Sequence, residues 1–191
     1  MDGGTVSISS AALHAINPEE LPTLGITRTF QDVRLFEQMT VQDNILVTLT
    51  ERGPWRALFE RAGSAHHACA HEVLQKVGLW EKRNQLAYNL SYGQRKLLEI
   101  ARVLAMDADI ILLDEPFAGL FKEMIRIIVG IVQELRAKGK TVLLIEHNMD
   151  LIRELSDHVV VMDAGTLLAE GSPHEVLLRK DVIEAYLGES R

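Results

Sequence analysis

Short, continuous apolar runs separated by a helical pattern dominate the C-terminal half of the chain. Residues 110–115 (IILLDE) and 141–147 (TVLLIEH) are such runs, and both are typical of strands buried on both faces. Between them, residues 121–139 repeat apolar positions with helical spacing, and Gly139 stands where a helix would end. We therefore expect strand–helix–strand units, which form parallel sheets with right-handed crossovers.

The rest of this half continues the alternation. The pattern predicts a helix over residues 148–157 and a third strand over residues 159–165, which turns toward residues 166–171. The tail from Ser172 onward predicts one or two short amphipathic helices.

The first hundred residues give a different pattern. From Leu35 to Ala105 the signals are helical, and no convincing strand is found; this stretch is typical of an all-helical insertion in an α/β core. The individual predictions are strands over 5–8 and 26–31, a short helix or loop over 18–26, helices over 39–50 and 65–81, and a break at 52–55.

Composition narrows the class of protein. The 191 residues suffice for one domain with a subdomain, and 47% hydrophobic and 25% charged residues are ordinary for a globular chain. A net charge of −7 argues against nucleic-acid binding, because such proteins usually contact the phosphates through an excess of basic residues. The single cysteine, Cys69, excludes an intramolecular disulfide and favours a reducing, cytosolic setting. We predict neither a signal peptide nor a membrane span, so any membrane role must involve a partner.

Two adjacent acids end the most apolar predicted strand. Ligands bind beyond the carboxyl ends of parallel strands, and Asp114 and Glu115 stand there, with Pro116 stopping the pairing. An aspartate in this place can hold magnesium, and a glutamate one residue later suits a base that orients an attacking water. A solvent-facing structural pair is the alternative, which the four preceding apolar residues make less favourable.

A polar turn precedes the helix that leads into this strand. Ser91 is placed as an N-cap, and Gln94 follows it as in a capping box. The free N–H groups at such a terminus bind anions, and Gly93 would allow a phosphate close to the backbone. A well-capped helix without a ligand remains the alternative.

Two further residues are predicted at the same sheet edge. His147 ends the second apolar strand, where an imidazole can donate a hydrogen bond to a phosphate oxygen. Gln31 ends the strand predicted over 26–31, where an amide can contact magnesium or its water. Either residue alone is a weak signal.

Two patterns that suggest sites are rejected. Gly139-Lys140-Thr141 resembles the end of the phosphate loop G-x-x-x-x-G-K-[ST], but Glu134 occupies the place of its first glycine, and the segment follows a helix instead of opening one. The second is a group of possible zinc ligands on one helical stretch, which we interpret as a solvated helix face because structural zinc needs four convergent ligands. Its members are His66, His67, Cys69 and His71.

Together these motifs resemble those of the ATP-binding cassette (ABC) ATPases. Residues 90–94 (LSYGQ) resemble the signature motif, and residues 110–116 (IILLDEP) resemble the Walker B strand followed by the catalytic glutamate. His147 matches the switch histidine, and Gln31 matches the Q-loop. The order and spacing fit over nearly the whole chain. Residues 26–47, 146–152 and the tail are more specifically similar to the ATPase subunits of branched-chain amino acid importers.

The resemblance implies an α/β fold, with a P-loop NTPase-like three-layer core, a mainly parallel sheet and an inserted all-helical subdomain. It divides the chain into a core remnant up to the Q-loop (1–34), the helical subdomain with the signature motif at its end (35–105), and the core with the Walker B strand, the switch histidine and the C-terminal helices (106–191).

It also implies roles for the singled-out residues. Asp114 and Gln31 would place magnesium, Glu115 would polarise the attacking water, and His147 would sense the γ-phosphate. Residues of the signature turn would contact ATP held by the opposite subunit of a head-to-tail dimer: Ser91, Gly93 and Gln94. Phosphoryl transfer to water needs this kind of positioning and charge neutralisation.

The resemblance implies partners and a location as well. The helical subdomain and the Q-loop would contact membrane permease subunits, a second ATPase subunit would complete the dimer, and a substrate-binding protein would act indirectly. No nucleic acid is expected. The subunit would lie peripherally on the cytoplasmic face of the inner membrane.

The chain departs from the family in two ways. It contains no Walker A loop, and residues 3–26 resemble the segment that normally follows the Walker A helix. We therefore expect an ATPase lacking its first strands, with poor ATP affinity, negligible hydrolysis by this chain alone, and marginal stability or aggregation from exposed sheet edges. In addition, Phe121 occupies the D-loop position where an aspartate is usual.

Alternatives remain open. The chain could be a non-catalytic partner that lends its signature turn to a complete subunit, or a decayed remnant. A chromosome-maintenance or DNA-repair ATPase head shares the signature and Walker B motifs, but the long heptad-bearing coiled coils of those heads are missing and the charge is acidic.

Overall fold

The computed structural model describes residues 4–8, 11–13, 20–29, 33–49 and 63–187. It divides into two compact units, residues 1–144 and 145–191. Residues 1–144 are the first unit, and residues 145–191 are the second unit.

The strands described in the first unit form two small sheets. Strands β1 (Val6–Ile8) and β2 (Ala11–Leu13) pair antiparallel. Strand β3 (Ile26–Arg28) lies parallel to β4 (Ile110–Asp114), with Ile26 opposite Ile110. The second sheet has the order β3-β4-β5, where β5 is Thr141–Ile145. The predicted parallel pairing therefore brings the carboxyl ends of β3 and β4 to one edge.

The described residues of the first unit form four α-helices, and all four were predicted from the sequence. They are α1 (Val41–Leu49), α2 (Ser64–Lys76), α3 (Tyr92–Ala105) and α4 (Lys122–Ala137). The first three pack against one another around Ile45, Leu74 and Leu98, which are fully buried. The described part of the segment from 35 to 105 is thus helical, with short 3₁₀ turns at Trp80–Lys82 and Ala87–Asn89.

Helix α4 ends where the sequence predicts. Gly139 has φ 74°, a left-handed conformation that glycine adopts without steric cost. The N–H groups of Gly139 and Lys140 donate to the carbonyls of Arg136 and Leu135, so the last turn is closed before β5 begins.

Strand β5 corrects two predictions. It was expected to be buried on both faces, but Leu143 is 58% exposed and Ile145 is 56% exposed. The reason is its position at the end of the described sheet, where only β4 pairs with it. The strand was also expected to run to His147, whereas it ends at Ile145, so that histidine follows the strand by two residues instead of ending it.

Strand β3 is shorter than predicted. It ends at Arg28, whereas the pattern favours a strand over residues 26–31. Gln31 lies outside the described residues, as does the predicted break at residues 52–55. The short helix or loop predicted over residues 18–26 contains a 3₁₀ helix at Leu21–Leu24.

Residues 145–187 of the second unit form a hairpin and three helices: α5 (Met149–Leu155), β6 (Val159–Asp163), β7 (Thr166–Gly171), α6 (Pro173–Val176) and α7 (Lys180–Leu187). Strand β6 pairs antiparallel with β7 across a two-residue loop. Ala164 and Gly165 have φ 44° and 79°, the positive values that tight hairpin turns require. The third predicted strand therefore pairs with its sequence neighbour, and its inner face packs on the last two helices through Val159, Val161, Ala169, Val176 and Val182.

Candidate active site

Two acids lie at the end of β4, as the sequence predicts. Asp114 is the last residue of the strand, and Glu115 is the first residue beyond it. Glu115 has φ 43°, which is uncommon for a residue with a side chain, whereas Pro116 and Phe117 behind it are buried. The backbone therefore turns sharply at the catalytic candidate, and the following residues anchor that turn in the core.

A buried threonine fixes the edge of the sheet beside these acids. The N–H of Thr29 donates to the carbonyl of Leu112 at 2.9 Å, and the N–H of Asp114 donates to the hydroxyl of Thr29 at 3.1 Å. Thr29 follows β3 directly. Thr29 is thus held against the end of β4, and the placement of Gln31 beside these acids stays a prediction.

The capping box predicted for the signature turn is present. The Ser91 hydroxyl accepts a hydrogen bond from the N–H of Gln94 at 3.4 Å, and the Gln94 side chain accepts from the N–H of Ser91 at 3.2 Å. Ser91 is exposed. Helix α3 thus begins with a rigid, solvent-facing turn, and the positive end of the helix dipole lies at its exposed serine.

The signature turn packs against the loop that follows Glu115. A side chain on Gly93 would overlap Met124 Sδ and meet Leu120 Cδ2 at 3.2 Å, and one on Gly119 would meet the Tyr92 ring at 3.0 Å. Glycine at position 93 therefore lets the side-chain ends of Met124 and Leu120 lie close to the backbone of the signature turn. The proposed approach of a phosphate to Gly93 stays a prediction.

Lys96 joins the signature helix to the acidic end of β4. Its side chain is buried, and Nζ donates to the carbonyl oxygen of Glu115 at 2.6 Å. A small cavity of about 10 Å³, lined by Lys96, Thr29, Asp114 and their neighbours, lies at this junction. The signature motif and the strand-end acids thus meet through buried polar groups within one compact unit.

His147 lies in the second unit, in the turn between β5 and α5. Its side chain is 65% exposed, and its N–H donates to the carboxylate of Glu146 at 2.9 Å. The same carboxylate accepts from the N–H of Asn148, whose own side chain caps α5. The backbone that carries the histidine is therefore fixed on both sides.

A basic groove lies next to the signature helix. It has a volume of about 490 Å³, and its lining includes Arg28, Arg34 and Arg102. Arg102 donates to the carbonyl of Arg34 and stacks over the ring of Phe36. Burial lowers the pKa of Arg102 from its ordinary value, although guanidinium remains charged at neutral pH. These contacts hold the segment that follows Gln31 against α3.

The described residues contain no group of three or more His, Cys, Asp or Glu side chains suited to a metal. The side chains considered as zinc ligands have other contacts: His67 bonds to Gln42, and His71 lies edge-on to Trp80. Magnesium is a different case, since proteins hold it through one or two carboxylates together with substrate phosphates and water. The carboxylate of Asp114 fits that requirement.

Sequence reasoning missed three residues that shape the site: Thr29, Lys96 and Glu146. Only Lys96 left a signal, because it lies one helical turn before Ile100 and so shares a helix face with that apolar residue. Thr29 and Glu146 act on backbone groups, and nothing in their local sequence marks that role.

Two family profiles match parts of this chain. The profile described as "ABC transporter" matches residues 1–118, and the profile described as "Branched-chain amino acid ATP-binding cassette transporter" matches residues 166–191. The chain belongs to the ABC transporter ATPase family. No helix among the described residues of this ABC ATPase is long and apolar enough to cross a membrane.

Curated relatives refine the placement within the ABC family. The chain is 40% identical to the high-affinity branched-chain amino acid transport ATP-binding protein LivG of Salmonella typhimurium, over 98% of this chain and 77% of that protein. It is 36% identical, with the same coverage, to the corresponding protein BraF of Pseudomonas aeruginosa.

Solved ABC cassettes confirm the fold class. The ADP conformation of the ATP-binding cassette MJ1267 matches with a TM-score of 0.81 and 34% identity, over 98% of this chain and 78% of that one. A nucleotide-free ATP-binding cassette gives the same scores and coverage. The expected α/β, P-loop NTPase-like architecture with helical parts is therefore correct.

Proposed function

We propose that this chain is the ATP-hydrolysing subunit of an ABC importer for branched-chain amino acids. The relatives named above support the transport class. The observation that carries the proposal is the meeting of the capped signature turn with the loop that follows Asp114 and Glu115. In this arrangement, a helix N-terminus suited to binding phosphate packs against the loop that carries two acids suited to phosphoryl transfer.

Each residue has a role in this proposal. Asp114 and Gln31 hold magnesium, which supplies charge neutralisation when bound with the nucleotide. Glu115 orients and polarises the attacking water, and His147 donates a hydrogen bond to the γ-phosphate. Ser91 leads the signature turn, whose other contact residues are Gly93 and Gln94, and this turn binds the γ-phosphate of ATP held by a second ATPase subunit.

The proposal extends to partners and domains. The helical subdomain, residues 35–105, would meet the permease, and the basic groove at Arg34 and Arg102 is the surface we assign to that contact. Residues 1–34 and 106–191 would form the ATPase core. A substrate-binding protein would act only through the permease. The subunit would then lie on the cytoplasmic face of the inner membrane as a peripheral protein.

The proposal is tested by hydrolysis in a complex with permease and a second ATPase subunit. We expect Glu115→Gln to lower the turnover of bound ATP by about 100-fold or more, as loss of a general base does. Glu170→Gln, an exposed glutamate on β7, is the matched control and should leave turnover unchanged. Equal rates for both variants would remove Glu115 from the reaction.

A second candidate function follows from two observations together. The chain has no G-x-x-x-x-G-K-[ST] sequence, yet its signature turn is fully formed and its Ser91 is exposed. Such a chain could complete the ATP site of another subunit without hydrolysing ATP at its own. Mixing it with a complete relative distinguishes the two roles: hydrolysis that depends on Ser91 but not on Glu115 favours the partner role.

A further inference from the structure

The backbone of Glu115 is held by a lysine from another element. Lys96 lies in the second turn of α3 and is 4% exposed, and its Nζ reaches the Glu115 carbonyl oxygen at 2.6 Å. The same carbonyl accepts the N–H of Ala118 at 3.3 Å, which closes the turn after the strand. Two donors thus fix the peptide plane that follows the candidate base.

The conformation at Glu115 needs such support. Its φ of 43° lies in the left-handed region, which L-residues other than glycine seldom occupy. Among the described residues, only two other non-glycine residues share this feature, Asp107 and Ala164. Ala164 belongs to the tight β6–β7 turn, where positive φ is required. Glu115 lies in no such hairpin.

Asp107 provides an internal comparison. It precedes β4, has φ 44°, and its carbonyl accepts a hydrogen bond from Lys140 Nζ at 3.2 Å. Each end of β4 therefore carries a left-handed acidic residue whose carbonyl is held by a lysine. At the Asp107 end the lysine is tied also to two carboxylates, whereas at the Glu115 end the lysine belongs to the signature helix.

We propose that Lys96 is a positioning residue: it keeps Glu115 in the left-handed conformation that directs its carboxylate at the attacking water. Because Lys96 is part of α3, the orientation of the Glu115 carboxylate depends on the position of the signature turn. The centroid of the Tyr92 ring in that turn lies 6.0 Å from Lys96 Nζ. This inference rests on the role assigned to Glu115 under the proposed function.

The first test measures the backbone conformation of Glu115 and does not depend on ATP hydrolysis. In the full chain labelled at glutamate, positive φ gives Glu115 a strong intraresidue HN–Hα nuclear Overhauser effect. We expect Lys96→Met to weaken it and Lys96→Arg to retain it. Lys140→Met, the same substitution at the opposite end of β4, should leave it unchanged. An unaltered signal in Lys96→Met would overturn the proposal.

The second test reads hydrolysis in the complex with permease and second subunit. Lys96→Met should lower kcat by about 10-fold or more at unchanged KM for ATP, the loss typical when a group that orients a site residue is removed. Lys96→Arg should restore much of it, and Lys140→Met should match the wild type. Equal losses in Lys96→Met and Lys140→Met would show a merely structural role and overturn the proposal.

The two tests separate this inference from the proposed function. If Glu115→Gln leaves hydrolysis unchanged, the assigned role of Glu115 fails, and the backbone signal still decides whether Lys96 holds that residue. If Glu115→Gln abolishes hydrolysis while Lys96→Met does not affect kcat, the proposed function stands and the positioning role is wrong.

Discussion

At the scale of single residues, substitution by alanine at two different glycines should have opposite effects on the free energy of unfolding. A side chain on Gly93 would run into Met124 and Leu120, whereas one on Gly130 of α4 would meet nothing within 4 Å. We expect Gly93→Ala to destabilise the fold by about 1 kcal/mol at most, because the side-chain ends of Met124 and Leu120 must move and both are flexible. Gly130→Ala should stabilise it by about 0.5–1 kcal/mol, because alanine favours the helix. Urea unfolding of both variants measures the difference; equal effects would contradict the packing at the signature turn.

The cap at Ser91 gives a second prediction at this scale. Ser91→Ala removes the acceptor for the Gln94 N–H and should cost about 1 kcal/mol of unfolding free energy. Ser64→Ala provides the control, because Ser64 is the first residue of α2 and its N-cap is Gly63. Thermal or urea unfolding measures the free energy of unfolding of both variants. Similar losses of this free energy would mean that the capping box contributes little to stability.

At the scale of elements, β5 exposes apolar side chains that its sequence predicts to be buried. We expect Leu143→Thr to reduce self-association while changing stability by no more than about 0.5 kcal/mol, as for most surface substitutions. In contrast, Ile111→Thr on β4, where the side chain is 2% exposed, should cost about 2 kcal/mol or more. Sedimentation and urea unfolding measure the two effects. If Leu143→Thr associates as strongly as the wild type, self-association uses a surface other than β5.

An ion pair between α2 and α4 predicts a pH dependence. Hydrogen bonds from Lys138 and Lys76 lower the pKa of Glu134 from its ordinary value of 4.5. The stabilisation is therefore present above pH 4.5 and is lost as the pH falls through the lower folded-state pKa. Glu134→Gln should cost at most about 1 kcal/mol at pH 7, because the pair is partly exposed to solvent. Urea unfolding from pH 7 downward should show the two proteins converging; a constant difference would rule out the ion pair as its source.

At the scale of the whole molecule, net charge governs solubility. The chain carries −7 at pH 7 and its pI is about 5.5, so mutual repulsion between molecules disappears near that pH. Light scattering as a function of pH should therefore rise to a maximum near 5.5 and fall toward pH 8. A flat profile would show that apolar contact alone drives association, whatever the charge.

The features that were predicted correctly from the sequence are those that depend on neighbours along the chain. The helices, the Ser91–Gln94 capping box, the stop at Gly139 and the turn after Asp163 all arise from contacts within a few residues. The predicted Asp114-Glu115 strand end belongs here too, because an apolar run and a proline mark it. These local contacts follow directly from spacing and residue type.

The contacts between distant segments could not be predicted from local patterns, because they depend on the folded arrangement of the elements. Lys96 reaches a carbonyl 19 residues away, and the hydroxyl of Thr29 accepts a hydrogen bond from a backbone group 85 residues away. The exposure of β5 and the packing of Gly93 on Met124 likewise depend on which elements become neighbours. A local pattern records what a residue prefers, whereas its partner, and therefore its role at the site, is set by the packing of the folded chain.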